Sequence, residues 1–152
     1  MKKIINSALI VFGLWILYRI LFPVYNFTHF RSKTGNRQCE VTKVERTSFL
    51  HSTITYFTEG YYRKREIPAS YIMPYSKGFS GCWTSDLMFR NDTAYYLEGS
   101  GASIVKGNFK RLVFMISSFT NYREQQKSEA MSDEARNDRT GNVYHFSQYP
   151  DR

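Results

Sequence analysis

The sequence predicts a mainly β protein: one N-terminal transmembrane helix, then a small antiparallel β-meander or barrel-like domain, then a polar C-terminal tail, helical or disordered. Three observations carry this. An apolar run from Ile4 to Phe22 is closed by Pro23. From Gln38 to Thr120, short β-prone stretches alternate with turn residues. From Asn121 the composition shifts to Glu, Gln, Lys, Ser, Asp and Arg. The boundaries that follow are 1–25 for a signal-anchor helix, 26–37 for a juxtamembrane linker, 38–120 for the β domain and 121–152 for the tail.

The nineteen residues of the apolar run rise roughly 28 Å as a helix, close to the hydrocarbon thickness of a bilayer. A cleaved signal peptide has a basic start, an apolar middle of about 7–15 residues and a small-residue cleavage site. Met1-Lys2-Lys3 suits the start, but the run is longer and 18–30 holds no Ala-x-Ala-like site. A core helix of so small a domain would need a polar face, and this run has none. An uncleaved anchor fits best, with Trp15, Tyr18 and Tyr25 at one interface and Arg19 snorkelling from the last turn. Lys2 and Lys3 favour a cytoplasmic N-terminus, whereas Arg19, Arg31, Lys33 and Arg37 count the other way. Long domains translocate largely regardless of their charge. The expectation is therefore a single pass of the inner (plasma) membrane with the domain outside the cytoplasm.

Arg31 to Asn36 lacks apolar periodicity and reads as linker. Gln38–Phe49 is the first expected strand and His51–Thr58 the second. Glu59-Gly60 turns into a third, Tyr61–Ile67, as a hairpin. Pro68 and Pro74 lack ladder donors, so Pro68–Gly81 reads as a loop or broken edge. Cys82–Phe89, Ala94–Glu98, Ala102–Val105 and Phe109–Ser118 complete a meander of six or seven strands. Leu112–Ile116 is apolar on both faces, which places it at the centre of the sheet. Tyr122–Arg139 has helix propensity without an apolar stripe, and Thr140–Arg152 reads as disordered.

The formal net charge of +8, beside a membrane, points to anionic lipid headgroups or another envelope polyanion. It points away from nucleic acid for an anchored, exported domain. The densest basic stretch is Arg63-Lys64-Arg65 after Tyr61 and Tyr62, with Lys106, Lys110 and Arg111 joining it if the strands neighbour. Rings and cations together form a binding patch for headgroups or an acidic protein. The alternative is a solvated strand face kept basic against edge pairing.

Cys39 and Cys82 lack the spacing of a zinc or redox motif. In an exported domain two lone cysteines pair, and this bridge would close a loop of about 44 residues, stabilising by roughly 4 kcal/mol. Reduced, buried thiols are the alternative. The tripeptide Gly81-Cys82-Trp83 resembles the nucleophile segment of papain-like cysteine proteases, which implies a Cys82 nucleophile with His145 or His51 as base. The glutamine-containing segment that precedes it in that family is absent here. Asn26-Phe27-Thr28 and Asn91-Asp92-Thr93 match the short glycosylation tripeptide. No acid pair has an acid–base spacing, the three histidines are scattered, and no phosphate loop occurs, so neither a metal nor a cofactor is expected.

The leading reading is a non-enzymatic membrane protein whose β domain binds another membrane or envelope protein. An envelope hydrolase using Cys82 and a cytoplasm-facing tethered regulator are the alternatives.

Overall fold

The structure is a computed structural model and describes residues 2–32, 39–48, 52–75, 83–100, 102–116 and 122–148. Its first element, helix α1, runs Lys2–Leu21. Leu, Ile and Phe carry it, and Pro23, unable to donate a backbone bond, follows the last one, Phe22 N–H to Tyr18 C=O at 2.9 Å. Most of its described side chains are exposed: Leu9, Val11, Leu14 and Leu17 are 64, 66, 60 and 51 % exposed. Among the described residues no helix is long and apolar enough to cross a membrane.

Only Phe22 and Pro23 separate α1 from strand β1, Val24–Arg31. This strand occupies 26–31 of the expected linker, whose residues 33–37 lie outside the described residues. β1 pairs residue for residue with β2, Glu40–Thr47, from Val24↔Thr47 to Arg31↔Glu40. The sequence hides the strand because Asn26, Thr28 and His29 interrupt its apolar positions. β2 pairs with β3, Thr53–Glu59. The expected strand at Tyr61–Ile67 is instead a loop without strand pairing. Pairing resumes at β4, Tyr71–Tyr75, inside the stretch read as irregular. Pro74 is tolerated there because the ladder with β3 is the one pair Phe57↔Ile72, already past.

β5, Trp83–Arg90, turns through Asn91-Asp92 into β6, Thr93–Ser100. The chain then changes sheets. β7, Ala102–Lys106, joins β4 at the edge of the first sheet, giving the order β1-β2-β3-β4-β7. β8, Leu112–Ile116, returns to lie parallel to β6 at the edge of the second sheet. Two sheets, antiparallel but for this pair, replace the expected single meander or barrel. β8 is not central: Val113 is 41 % exposed, while Leu112 is buried.

The expected tail holds two further elements. Helix α2 is Tyr122–Asn137, and β9, Val143–Gln148, pairs antiparallel with β5, so the second sheet is ordered β8-β6-β5-β9. Ser128, Met131 and Ala135 form the buried stripe of α2, at helical spacing. They cover Met88 and Leu97 on the outer face of the second sheet. Between the sheets, Val41, Phe57 and Ile72 meet Trp83, Leu87, Phe89, Tyr96 and Leu112, with Phe30, Tyr144 and Phe146 packed against them.

Candidate functional site

The basic–aromatic loop grows out of a glycine turn. Gly60 has φ +83°, a left-handed conformation that a side chain strains. Its N–H donates to Glu40 C=O at 2.7 Å, and its own carbonyl accepts from Thr42 Oγ1 at 2.6 Å. Thr42, wholly buried, also accepts the N–H of Tyr62 at 3.1 Å. One threonine hydroxyl thus fixes the path of the loop across the outer face of the first sheet.

His29, opposite Thr42 on β1, makes the third contact, Nδ1 to Thr42 Oγ1 at 3.0 Å. The Thr42 proton is committed to Gly60, so the hydroxyl accepts from Nδ1–H, which sets the ring tautomer. Glu40 Oε1 is 3.6 Å from the same nitrogen, and Arg31 Nη2 is 3.1 Å from that oxygen. Tyr61 stacks on His29 with centroids 4.4 Å apart, and the Arg63 guanidinium lies 5.3 Å over the Tyr61 ring. The Tyr62 ring is 6.4 Å from Phe27, and its hydroxyl donates to Glu66 C=O at 3.2 Å. Burial pushes the Tyr62 phenol above its ordinary value, and the Glu66 charge adds to this.

Beyond these rings, Arg63, Lys64 and Arg65 are exposed. Lys64 stands 3.7 Å from Glu66 with both side chains in solvent, which adds little to stability. Lys110 and Arg111 arrive by another route. Glu59 Oε2 accepts their backbone N–H groups at 2.7 and 3.1 Å, tying the approach to β8 to the end of β3. All seven patch residues named from the sequence, Tyr61, Tyr62, Arg63, Lys64, Arg65, Lys110 and Arg111, therefore come from two segments joined through Glu59. Lys106 lies elsewhere, 6.0 Å over Tyr71. Sequence reasoning missed the supports His29, Glu40, Thr42 and Glu59. A cross-strand His–Thr pair is invisible where one partner is read as linker. The arrangement presents cations and ring faces to an anion, with no nucleophile–base pair among the patch residues.

A second cluster lies on the outer face of the other sheet. His145 Nδ1 is 2.7 Å from Asp86 Oδ1, across the β5–β9 pair. This is the geometry of an imidazole oriented by a carboxylate. The nucleophile named from the sequence, Cys82, and the other candidate base, His51, lie outside the described residues.

Cys39 is 1 % exposed and free among the described residues; Cys82, its expected bridge partner, lies outside them. Its Sγ lies 3.9 Å from Arg111 C=O. Burial pushes the thiol above its ordinary value, and the Glu59 charge adds to this. The chain matches no family model, no curated protein and no solved structure.

Proposed function

We propose that this is a non-enzymatic, single-pass membrane-anchored envelope protein whose β domain binds another envelope component through the loop 61–65 with Lys110 and Arg111. The observation that carries the reading is α1. From Leu9 to Phe12, at Leu14, Trp15 and Leu17, and from Ile20 to Phe22, the rest of the protein leaves its apolar side chains more than half exposed, from 51 to 66 %. In water that exposure costs roughly 25 cal/mol for every Å² of apolar surface left uncovered. A bilayer covers a helix on all sides at once, and the apolar sequence continues to Phe22. The membrane is the inner (plasma) membrane, with Lys2 and Lys3 on the cytoplasmic side and the domain on the other.

The patch supports the binding half of the proposal. Its cations are exposed while its backbone is held by Thr42 and Glu59. A pre-set loop loses less conformational freedom on binding than a mobile one. The partner carries carboxylates or another anion on a surface that admits the Tyr61 ring.

The test is a photo-crosslinking amino acid at position 61 of the full chain in its own membrane. The expected result is a discrete adduct, lost when Arg63, Lys64 and Arg65 are changed to Glu, and absent when the crosslinker is moved to Val113. An adduct indifferent to charge reversal contradicts the patch.

One observation favours the hydrolase reading, the His145–Asp86 pair at 2.7 Å. That reading requires a Cys82 thiolate, so rapid alkylation of Cys82, slowed in His145→Ala, is its signature.

A further inference from the structure

We propose that the domain stands on the bilayer on one row of its first sheet, Tyr25, Ile54 and Tyr75 with Arg46 among them, which holds the basic loop away from the lipid. The inference rests on the reading of α1 as the anchor and adds the orientation of what it carries.

The row follows from register. Tyr25 is opposite Arg46, and Arg46 is opposite Ile54. β4 runs antiparallel to β3 through the pair Phe57↔Ile72, so Tyr75, its last residue, lies toward the same end as Ile54. Side chains alternate between faces along a strand. Phe30, of the opposite parity, packs inward on Tyr144 and Phe146 at 4.8 and 5.2 Å, so Tyr25 and its row face outward.

Three features point to lipid as the occupant. The first is tether length: Phe22 and Pro23 alone separate the helix from Val24, so Tyr25 lies within roughly 14 Å of the end of the helix even if the chain is fully extended. The second is exposure: Ile54 and Tyr75 are 38 and 40 % exposed, with Tyr25 and Arg46 half-buried beside them. The third is chemistry. Tyrosines and an isoleucine beside an arginine suit the interfacial zone, where amphipathic rings settle and a cation meets anionic headgroups.

The far end of the same strands carries Tyr61 and Arg63 of the loop, while its Tyr62 ring reaches back to Phe27. β1 has eight residues, so His29 and Arg31 lie roughly 13–20 Å along the strand from Tyr25. Tyr61 stacks on His29 at that end. A domain seated on its first row therefore offers Arg63, Lys64 and Arg65 to a partner beyond the bilayer, not to the headgroups under its own anchor.

The full chain reconstituted in nanodiscs tests this. The discs contain phosphatidylethanolamine, some phosphatidylglycerol and a trace of a lipid bearing a diazirine. After photolysis, adducts are located to the residue by mass spectrometry. The expected pattern is strong labelling in α1 and at Tyr25, Ile54 and Tyr75, with Arg63 to Ile67 and Val113 at background. Changing Ile54 and Tyr75 together to Glu should remove the adduct at Tyr25 while α1 stays labelled. Labelling of α1 with the row at the Val113 level would overturn the seating and leave the anchor standing. Labelling of the loop as strong as that of the row would mean a domain lying flat, and overturns the orientation. Absence of label from α1 overturns the anchor and the inference with it.

Discussion

Replacing Phe146 by Ala should come close to undoing the domain, although Phe146 sits near the end of a stretch whose composition reads as tail. Its ring is 5.0 Å from Phe57 and 5.2 Å from Phe30, both of the other sheet, and Lys43 lies 5.8 Å over it. Truncating a core Phe to Ala costs about 3–5 kcal/mol. Phe146 is half-buried, so the lower end, about 3 kcal/mol, applies. Whole domains hold about 5–15 kcal/mol, so the loss is large. With a urea slope of about 1–3 kcal/mol per M, the midpoint should fall by about 1–3 M. The assay is urea unfolding of the full chain in mild detergent. It is read by the fluorescence of Trp83, which is buried and opposite Gln148 of β9. Ser147→Ala, exposed on the same strand, serves as control and should move the midpoint little. Equal midpoints for the two variants would refute the reasoning, because β9 would then not be part of the core.

Gly107→Ala should cost more than Gly60→Ala. Both glycines have positive φ, +82° and +83°, but a Cβ at Gly107 collides with Ser70 while one at Gly60 meets nothing within 4 Å; the left-handed backbone alone costs about 1–2 kcal/mol, and equal costs would deny the collision. Glu59→Ala should destabilise by about 1–3 kcal/mol and speed amide exchange at Lys110 and Arg111, whereas unchanged exchange at both would mean that the carboxylate does not hold the patch. Cys39 gives a pH prediction. Its folded value lies above the ordinary 9.0, so the fold keeps a proton that the unfolded chain gives up. The stability tied to that proton is complete below pH 9 and is lost as pH rises through the folded value. The melting temperature should fall above pH 9, and Cys39→Ala should flatten the first part of the fall, before the buried tyrosines Tyr56 and Tyr96, also pushed up by burial, contribute. A wild-type profile flat above pH 9 contradicts this.

Much of the order of elements was legible because β-prone runs and their turns are local. Arg90-Asn91-Asp92-Thr93 announced the β5–β6 hairpin, and Asn91 indeed has φ +55°. What was not legible depends on partners distant in sequence. Tyr144 and Phe146 look like isolated aromatic beads in a polar tail until Phe30, more than a hundred residues earlier, is set against them. The stripe of α2 is Ser128, Met131 and Ala135, too small and too mixed for hydropathy to reveal. Leu112–Ile116 misled because an apolar strand at an edge has the composition of one at the centre; here Val113 is left exposed by the parallel pairing with β6. Tyr61 to Arg65 read as part of a strand and are not on one. The Gly60 turn and the Thr42 hydroxyl make them a loop, and no periodicity rule reports a hydroxyl that holds a loop from two strands away.

The anchor decides the rest, and alkaline carbonate extraction of native membranes tests it most directly. Full-length protein is compared with a variant in which Val11 and Leu14, 66 and 60 % exposed on α1, are both changed to Asp. Each charge at a helix centre costs about 2.5–3.5 kcal/mol of insertion, so the pair removes roughly 5–7 kcal/mol. The account predicts that the natural chain stays in the membrane pellet and the variant leaves it. Release of the natural chain by carbonate would contradict the account.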